Sequence, residues 1–337
     1  MAHLNRREFM RRIALAASAG SLMLSRTAWS LTRRLAKALP IAALVPRDAS
    51  GHHFVLFSDC TVTGEDKGSS DALHNIGLVV QRLVPSPEFI SFPGDAVGSG
   101  DNEKEWEFFR EELKWSREEG IAVYQSTSNH TAYSFKSEAR FREFNQELPL
   151  NGPGDERGLA YWVRRGNLLY VSLHHPASST RYRAGYDFGD MTWLEDVLAR
   201  NSDAEYRLVV GHYPVFRVNG YTEMSIPHAD WGPFWATLRK HRVDAYLTSH
   251  VLAFDVQVHD GILQICSGGA GPGAMPPATE GTHAVQIAID RQGIRFQVLN
   301  IEGRVRESLV WPFQPSRPDE KSSTRIPTSS ARLAIVE

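Results

Sequence analysis

Five hydrophobic runs along this chain each end in residues of a kind that commonly bind metal ions. The runs are VLFSDCT, ISFPGDAV, QSTSNHT, LVVGHYPV and AYLTSHVL, and their polar residues are Asp59, Asp95, Asn129 with His130, His212, and His250. Each run is typical of a buried strand followed by a polar residue. In open α/β sheets, ligands bind at the carboxyl ends of the strands. The series therefore predicts one site assembled from several strand ends.

The composition predicts a folded globular protein with a sizeable core. The 337 residues are 42% hydrophobic and 23% charged, and the net charge of −2 gives no indication of nucleic-acid binding. Two cysteines, Cys60 and Cys266, exclude a disulfide framework and a CxxC metal site. A single disulfide formed after export stays open, but two buried thiols are the favoured interpretation.

The first 30 residues are typical of an export signal. The sequence NRREFMR matches the twin-arginine pattern, an apolar stretch follows at 13–24, and Ala28-Trp29-Ser30 offers a small-x-small cleavage position. The apolar stretch is too short to span a membrane, and a basic amphipathic helix or a soluble tail is the alternative. We expect export by the twin-arginine machinery to the periplasm or the exterior, with no membrane segment in the mature protein.

The rest of the chain divides by composition into three parts. Residues 31–50 are basic and rich in Ala, Leu and Pro, which predicts a linker. Residues 51–313 carry the hydrophobic periodicity of a folded domain. Residues 314–337 are dominated by Pro, Ser and charged residues, which predicts a disordered tail.

Strands and helices alternate through the first part of the domain. Strands are predicted at 52–58, 88–92 and 121–125, with helices at 71–84, where Asp71 is a candidate N-cap, and at 102–119. This order predicts a mostly parallel sheet covered by helices.

The following elements continue the pattern and then change it. Two strand-like runs surround Gly166-Asn167, and a helix at 190–201 with Asp190 as its cap precedes a second strand–helix–strand unit at 206–248. The final third contains hairpin signals at Asp260-Gly261 and Gln292-Gly293. It is therefore predicted to be antiparallel and to pack against the first sheet.

The order Asp, Gly-Asp, Asn-His, Gly-His, His resembles the calcineurin-like metallophosphoesterases, a superfamily of binuclear metal hydrolases. The sequence GHYPV at 211–215 is the most specific match, and it points to the purple-acid-phosphatase-like branch. The resemblance covers roughly residues 52–312. It implies an α/β fold, a four-layer αββα sandwich of two mixed sheets flanked by helices, and a small-molecule phosphate ester as substrate.

The resemblance also implies roles for individual residues. Asp95 matches the aspartate that bridges two metals, and Asn129, His212 and His250 match ligands of the second metal. His130 matches the histidine beside the phosphate, where it would protonate the leaving oxygen or stabilise charge on the phosphoryl group.

The ligands of the first metal are largely missing from this sequence. Thr61 stands where the family has the histidine of Asp-x-His, Gly98 where other members have a tyrosine, and Leu252 where Gly-His-x-His ends. Asp59 and Asp95 remain, and two carboxylates with water bind Mg²⁺ or Mn²⁺ only weakly. We expect one firmly bound divalent cation (Mn, Zn, Fe or Mg) and a doubtful second one.

Several further residues are candidates for the site. A rearranged first metal site that uses Cys60 or His174 stays open, although Cys60 is favoured as a core residue. His174, His175 and His228 are candidates for contact with substrate, with surface loops as the alternative. The glycine-rich segment 268–277 lacks the following amphipathic helix of a phosphate cradle, so a turn at the rim of the site is the better interpretation.

The predicted function is exported, metal-dependent hydrolysis of phosphate esters through attack of a metal-activated water. The competing hypothesis is a catalytically inactive binding protein with the same fold. It rests on Thr61, Gly98 and Leu252, which remove ligands of one metal and leave those of the other intact.

Overall fold

The computed structural model describes residues 39–63, 67–175, 188–218, 228–271, 281–313 and 334–335. The predicted signal peptide at 1–30, residues 31–38 of the linker and most of the tail lie outside these ranges, so those assignments stay predictions. The tail residues Ala334–Ile335 pair as a short strand with Leu309 and Val310.

The strands of the described chain form two large sheets and one two-stranded pair. In chain order they are β1 (Ile41–Ala42), β2 (His52–Leu56), β3 (Leu83–Val84), β4 (Phe89–Phe92), β5 (Ala122–Gln125), β6 (Tyr161–Arg165), β7 (Leu168–Ser172), β8 (Tyr206–Val210), β9 (Ala245–Thr248), β10 (Phe254–His259), β11 (Ile262–Ser267), β12 (His283–Asp290), β13 (Gly293–Asn300), β14 (Val305–Pro312) and β15 (Ala334–Ile335).

The helices lie between these strands. They are α1 (Lys67–Val80), α2 (Glu103–Glu112), α3 (Lys114–Glu118), α4 (Phe135–Phe144), α5 (Met191–Arg200) and α6 (His228–Lys240), with a 3₁₀ turn at Gly154–Glu156. Within the described residues, no helix combines the length and apolar character needed to cross a membrane.

Both large sheets are mixed, as predicted. The first sheet has seven strands in the order β15-β14-β13-β12-β2-β4-β5, and the second has six in the order β10-β11-β9-β8-β7-β6. Strands β2, β4 and β5 run parallel, as do β7, β8, β9 and β11. Parallel neighbours end at the same edge of a sheet, so each sheet brings several carboxyl ends together.

Alternating side chains of β7 show how the layers are built. Leu168 and Tyr170 belong to the core between the sheets, whereas Leu169 and Val171 pack with the buried residues of α5 and α6. Successive strand residues point to opposite faces, so this strand is buried on both sides. The Tyr170 hydroxyl lies 3.0 Å from Ser91 Oγ in the first sheet. The predicted four-layer αββα sandwich is confirmed.

Two predicted helices differ from the structure, and one observed helix was not predicted. Helix α1 begins at Lys67, so Asp71 lies inside it, and Leu83–Val84 leaves the helix to pair with Ile41–Ala42. The predicted helix at 102–119 is divided at Leu113, whose ψ of 10° departs from helical geometry. Helix α4, which begins at a capping box of Ser134 and Ser137, was not predicted.

The carboxyl-terminal hairpins are antiparallel as predicted, but β12–β14 belong to the first sheet instead of packing against it. The β10–β11 hairpin joins the second sheet through β9, whereas β12 pairs with β2 and extends the first sheet. Hairpin signals fix local pairing and not which sheet a hairpin joins.

The segment before residue 51 contacts the domain. Ile41 and Ala42 pair with β3, and the Arg47 guanidinium donates to both carboxylate oxygens of Asp290 at 2.8 and 3.0 Å. Part of the predicted linker, including Ile41, Ala42 and Arg47, is therefore packed on the domain. The thiols of Cys60 and Cys266 are both free and buried, in agreement with the favoured interpretation.

Candidate metal centre

Sharp backbone turns after three strands direct polar side chains into one site. Asp59, Asp95 and His250 follow β2, β4 and β9, and their φ angles are 60°, 52° and 67°. Left-handed backbone is uncommon for residues other than glycine, and such strain clusters at functional sites. The carboxyl ends of strands from both sheets thus meet here.

Three side chains converge on the Nε2 atom of His212. This atom lies 2.7 Å from Asn129 Oδ1, 3.0 Å from His250 Nδ1 and 3.4 Å from Asp95 Oδ2. Ligand atoms of Asp95, His212 and His250 all lie within 4.8 Å of one another. Among the described residues, Asp95, His212 and His250 therefore form a group that could bind a metal ion.

The tautomer of His212 gives the cluster its chemistry. His212 Nδ1 lies 3.1 Å from the Pro93 carbonyl oxygen, which can only accept, so Nδ1 donates its hydrogen there. In the neutral ring, Nε2 presents an electron pair to Asn129 Oδ1 and to the Asp95 carboxylate, whereas in the protonated ring it donates a hydrogen to them. Converging electron pairs repel one another unless a proton or a metal cation lies between them. Two imidazoles, an amide oxygen and a carboxylate are ligands that suit a divalent metal ion.

The titration behaviour of the cluster agrees with a cation site. Burial alone would raise the pKa of Asp95, but the charge and hydrogen bond of His212 lower it below the ordinary value. Burial alone would lower the pKa of His212, but the charge of Asp95 raises it. Burial and the neighbouring His212 lower the pKa of His250 to about 3, which leaves its ring neutral and able to bind a metal.

Asp59 lies at the edge of this cluster and supports His250. Its carboxylate accepts from the backbone N–H of His250 at 3.1 Å and from the Ser58 hydroxyl at 2.6 Å. Burial and the charge of Asp95 raise the pKa of Asp59 to about 7. Asp59 therefore helps to fix the left-handed backbone of His250, a contact that the sequence did not reveal.

The described part of the glycine-rich segment lies against Asp59. The Ala270 N–H donates to the Ser58 carbonyl oxygen at 2.8 Å. A Cβ atom on Gly271 would lie 2.6 Å from the Asp59 carbonyl oxygen, so only glycine permits this approach. This agrees with the interpretation as a turn at the rim of the site; residues 272–280 lie outside the described ranges.

His130 adjoins the cluster in an orientation that leaves one ring nitrogen available for proton transfer. Its Nδ1 lies 2.8 Å from the Gly98 carbonyl oxygen, so Nδ1 carries a hydrogen and donates it. Its backbone N–H donates to Asp95 Oδ1 at 3.4 Å. Nε2 of this half-buried ring is the atom that can accept or give a proton.

The surroundings of Gly98 and Cys60 do not replace the missing ligands. A Cβ atom on Gly98 would lie 2.6 Å from the methyl carbon of Thr63, so a side chain at this position would require Thr63 to move. The Cys60 thiol is buried and donates to the Ala96 carbonyl oxygen at 3.1 Å. Cys60 is thus a core residue, as favoured from the sequence.

The three further histidines do not share one environment. His174 and His175 are 2% and 5% exposed. His174 Nδ1 lies 2.9 Å from Thr127 Oγ1, and His175 Nε2 accepts from the backbone N–H of His212 at 2.9 Å. These contacts are with other residues of the site, and contact of His174 and His175 with substrate stays a prediction. His228 begins α6, but its side chain lies outside the described residues, so its role stays a prediction.

Sequence reasoning missed the hydroxyl groups that fix the ligands. Ser128 Oγ accepts from the Asp95 N–H at 2.9 Å, and Ser249 Oγ lies 2.9 Å from His212 Nδ1. Ser128 replaces the glycine usual in the family, yet here it supports the ligand loop. Each of these serines adjoins a ligand in sequence, which is the signal that could have identified them.

The sandwich and the converging ligands define the class: the chain has the fold of the calcineurin-like metallophosphoesterases. A dimetal phosphatase from Danio rerio matches with a TM-score of 0.58 at 17% identity, over 78% of this chain and 99% of that one. A purple acid phosphatase from yellow lupin (Lupinus luteus) seeds matches with a TM-score of 0.58 at 15% identity, over 79% of this chain and 54% of that one.

A third structural relative has a different description. It is an anchor in the inner membrane complex of Plasmodium, with a TM-score of 0.53 at 14% identity, over 79% of this chain and 90% of that one. No protein-family model and no curated protein sequence matches this chain. The likeness is therefore one of fold.

Proposed function

We propose that this protein is a metal-dependent phosphoesterase that hydrolyses small phosphate esters. The observation that carries the proposal is the convergence of Asn129, His250 and Asp95 on Nε2 of His212, at 2.7, 3.0 and 3.4 Å. These residues follow strand ends of two sheets in a fold shared with a dimetal phosphatase and a purple acid phosphatase.

One divalent cation would be bound firmly by Asp95, Asn129, His212 and His250. When bound, such an ion polarises a phosphoryl oxygen and lowers the pKa of a bound water. The donor set of two nitrogens and two oxygens does not select among Mn, Zn, Fe and Mg. A second cation would have only Asp59 and the shared Asp95, because Thr61, Gly98 and Leu252 supply no ligands.

The chain's own residues supply proton transfer and orientation. His130, with Nδ1 donating to the Gly98 carbonyl oxygen, presents Nε2 for protonation of the leaving oxygen. Asp59 would orient the attacking water through its carboxylate.

The proposed cellular setting follows from the amino-terminal sequence. The twin-arginine pattern in residues 5–11 and the apolar stretch at 13–24 support export as a folded protein by the twin-arginine machinery. The enzyme would then act in the periplasm or outside the cell, without a membrane segment and without nucleic acid as a partner.

A binding protein without turnover is the second candidate. It is supported by Thr61, Gly98 and Leu252, which leave the first metal without its usual ligands. It is also supported by the likeness to a Plasmodium protein described as an anchor. In this case the cluster would bind a cation that stabilises a docking surface and takes no part in catalysis.

The test is hydrolysis of 4-nitrophenyl phosphate and bis(4-nitrophenyl) phosphate by protein loaded separately with Mn²⁺, Mg²⁺, Zn²⁺ or Fe²⁺. If the protein is a phosphoesterase, we expect turnover with at least one ion and loss of turnover in His212→Ala. We expect His130→Gln to retain the metal with strongly reduced turnover. Absence of turnover with every ion, while the metal is demonstrably bound, would establish the binding protein instead.

A further inference from the structure

We propose that His175 is a positioning residue for the metal ligand His212, and that with Thr127 it aligns ligands contributed by the two sheets. The inference rests on the cation site of the proposed function. It gives His174 and His175 a role that differs from the substrate contact predicted from the sequence.

The contact between His175 and His212 is direct and enclosed. His175 Nε2 accepts from the backbone N–H of His212 at 2.9 Å. The ring of His175 meets Tyr213 edge-on, with 4.7 Å between ring centroids. A Cβ atom on Gly211 would lie 3.0 Å from His175 Nε2, so a larger residue there would crowd this acceptor. The backbone N–H of His212 is thus held by one nitrogen of a buried ring, while the His212 carbonyl oxygen accepts from the Ser249 N–H and the Thr248 hydroxyl.

Thr127 extends this contact to the other sheet. Thr127 Oγ1 accepts from the backbone N–H of His175 at 3.1 Å and lies 2.9 Å from His174 Nδ1. His174 Nε2 lies 3.4 Å from Glu138 Oε1 on α4. Thr127 follows β5 of the first sheet, whereas the two histidines follow β7 of the second. We name Thr127, His174 and His175 the inter-sheet bridge.

The inter-sheet bridge connects the two ligands that approach each other most closely. Asn129 is two residues beyond Thr127 on the first sheet, and His212 is bonded to His175 on the second. Their ligand atoms lie 2.7 Å apart. Because the ligands belong to different sheets, a small shift between the sheets would separate them. Partners that orient metal ligands typically change metal affinity about 10–100-fold when mutated.

Loss of the bridge is expected to leave the sandwich folded. Next to the bridge, Ser126 Oγ lies 2.8 Å from Ser172 Oγ across the same interface. The Tyr161 hydroxyl donates to the Gln125 carbonyl oxygen at 3.0 Å. The apolar core between the sheets also remains. The bridge therefore sets ligand register rather than overall stability, and the two effects can be measured separately.

The test is titration of metal-free protein with Co²⁺, recorded by calorimetry and by the visible absorption of bound Co²⁺, together with thermal unfolding. His175→Leu removes the acceptor, whereas His175→Gln places a carbonyl oxygen near the position of Nε2. Thr127→Val and Thr127→Ser form the second pair, in which only serine keeps the hydroxyl.

A matched control lies at the opposite end of the sandwich. His52, at the start of β2, also links the sheets, with Nε2 2.7 Å from Asn167 Oδ1 in the β6–β7 turn. His52→Leu therefore removes an inter-sheet histidine contact far from the ligands. It should lower the unfolding temperature and leave Co²⁺ affinity and absorption unchanged.

The inter-sheet bridge predicts that His175→Leu and Thr127→Val bind Co²⁺ about 10–100-fold more weakly with an altered absorption spectrum, and that His175→Gln and Thr127→Ser recover both. Unchanged affinity in His175→Leu, or equal losses in His175→Leu and His175→Gln, would overturn the proposal. The readout needs no substrate. Failure of wild-type protein to hydrolyse phosphate esters would thus count against the proposed function and not against this bridge.

Discussion

Gly94 directly precedes the ligand Asp95 and contacts the ring of His212, so the substitution Gly94→Ala perturbs the site with a single methyl group. The φ angle of Gly94 is 131°, a region that residues with a side chain rarely adopt. The added Cβ atom would lie 2.7 Å from His212 Nδ1 and 2.7 Å from Ser128 Cβ. Neither neighbour is the free end of a flexible side chain.

Two costs follow from this geometry. Backbone strain at such a φ angle costs about 1–3 kcal/mol, and overpacking of a buried site costs about 1–3 kcal/mol more. The free energy of unfolding should therefore fall by about 2–6 kcal/mol. Movement of the His212 ring also disturbs the ligand atom Nε2, so metal affinity should fall about 10–100-fold.

Gly120→Ala is the matched control for this prediction. Gly120 has a φ angle of 71°, but a Cβ atom there would meet nothing within 4 Å. The free energy of unfolding of Gly120→Ala should fall by about 1–2 kcal/mol from backbone strain alone, and this protein should bind metal normally. The assays are urea unfolding of metal-free protein and calorimetric titration with Mn²⁺. The reasoning would be refuted by a Gly94→Ala protein with wild-type affinity and no greater loss of stability than Gly120→Ala.

Three further predictions concern protons. His130→Gln should lower kcat about 10²–10⁴-fold without changing bound metal, measured by aryl phosphate hydrolysis and metal analysis; equal loss of metal would contradict the assigned role. Because Asp95 raises the pKa of His212 above 6.5, a proton competes with the cation, so Co²⁺ affinity should fall about tenfold per unit as pH drops below that pKa. A pH-independent affinity would contradict this. Folding raises the pKa of His52 and lowers that of Glu88. The stability that Glu88 contributes is therefore lost as pH falls below 4.5, and the stability that His52 contributes is lost as pH rises from 6.5 through its raised pKa. Thermal unfolding of His52→Gln should lose the alkaline part of this dependence and keep some of the acid part, because the backbone N–H of His53 still donates to Glu88.

The strand-end residues were predictable because their signals are local. A hydrophobic run that ends in Gly-Asp or Gly-His places a polar group at a strand end, whichever sheet the strand joins. The structure brings Asp95, Asn129, His212 and His250 together, as the resemblance implied. The alternating strands and helices predicted a sheet covered by helices in the same way, whereas the four-layer αββα sandwich was implied by the resemblance.

Other features depend on contacts between distant segments, which the sequence pattern does not record. The sequence predicted hairpins at Asp260-Gly261 and Gln292-Gly293 but not that β10–β11 and β12–β13 join different sheets. Helical spacing also predicted that the first helix continues through Leu83, whereas in the structure Leu83 pairs with Ile41 in a strand. Tertiary pairing outweighs local preference at such ends.

The supporting residues of the site were harder to predict than its ligands. His174 and His175 were correctly placed at the rim from their position after β7, but their burial and partners could not be read from the sequence. Asp59 was expected to bind a cation, and its hydrogen bond to the His250 backbone comes from a residue 191 positions away. Such contacts exist only once both sheets are assembled.

The central claim is that Asp95, Asn129, His212 and His250 bind one divalent cation firmly. The direct measurement is the number of metal ions that remain on the folded protein after saturation and exhaustive dialysis, determined by plasma mass spectrometry for wild type and His212→Ala. We predict one ion per chain in the wild type and none in His212→Ala. No retained ion in the wild type, two tightly retained ions, or an unchanged count in His212→Ala would contradict the claim.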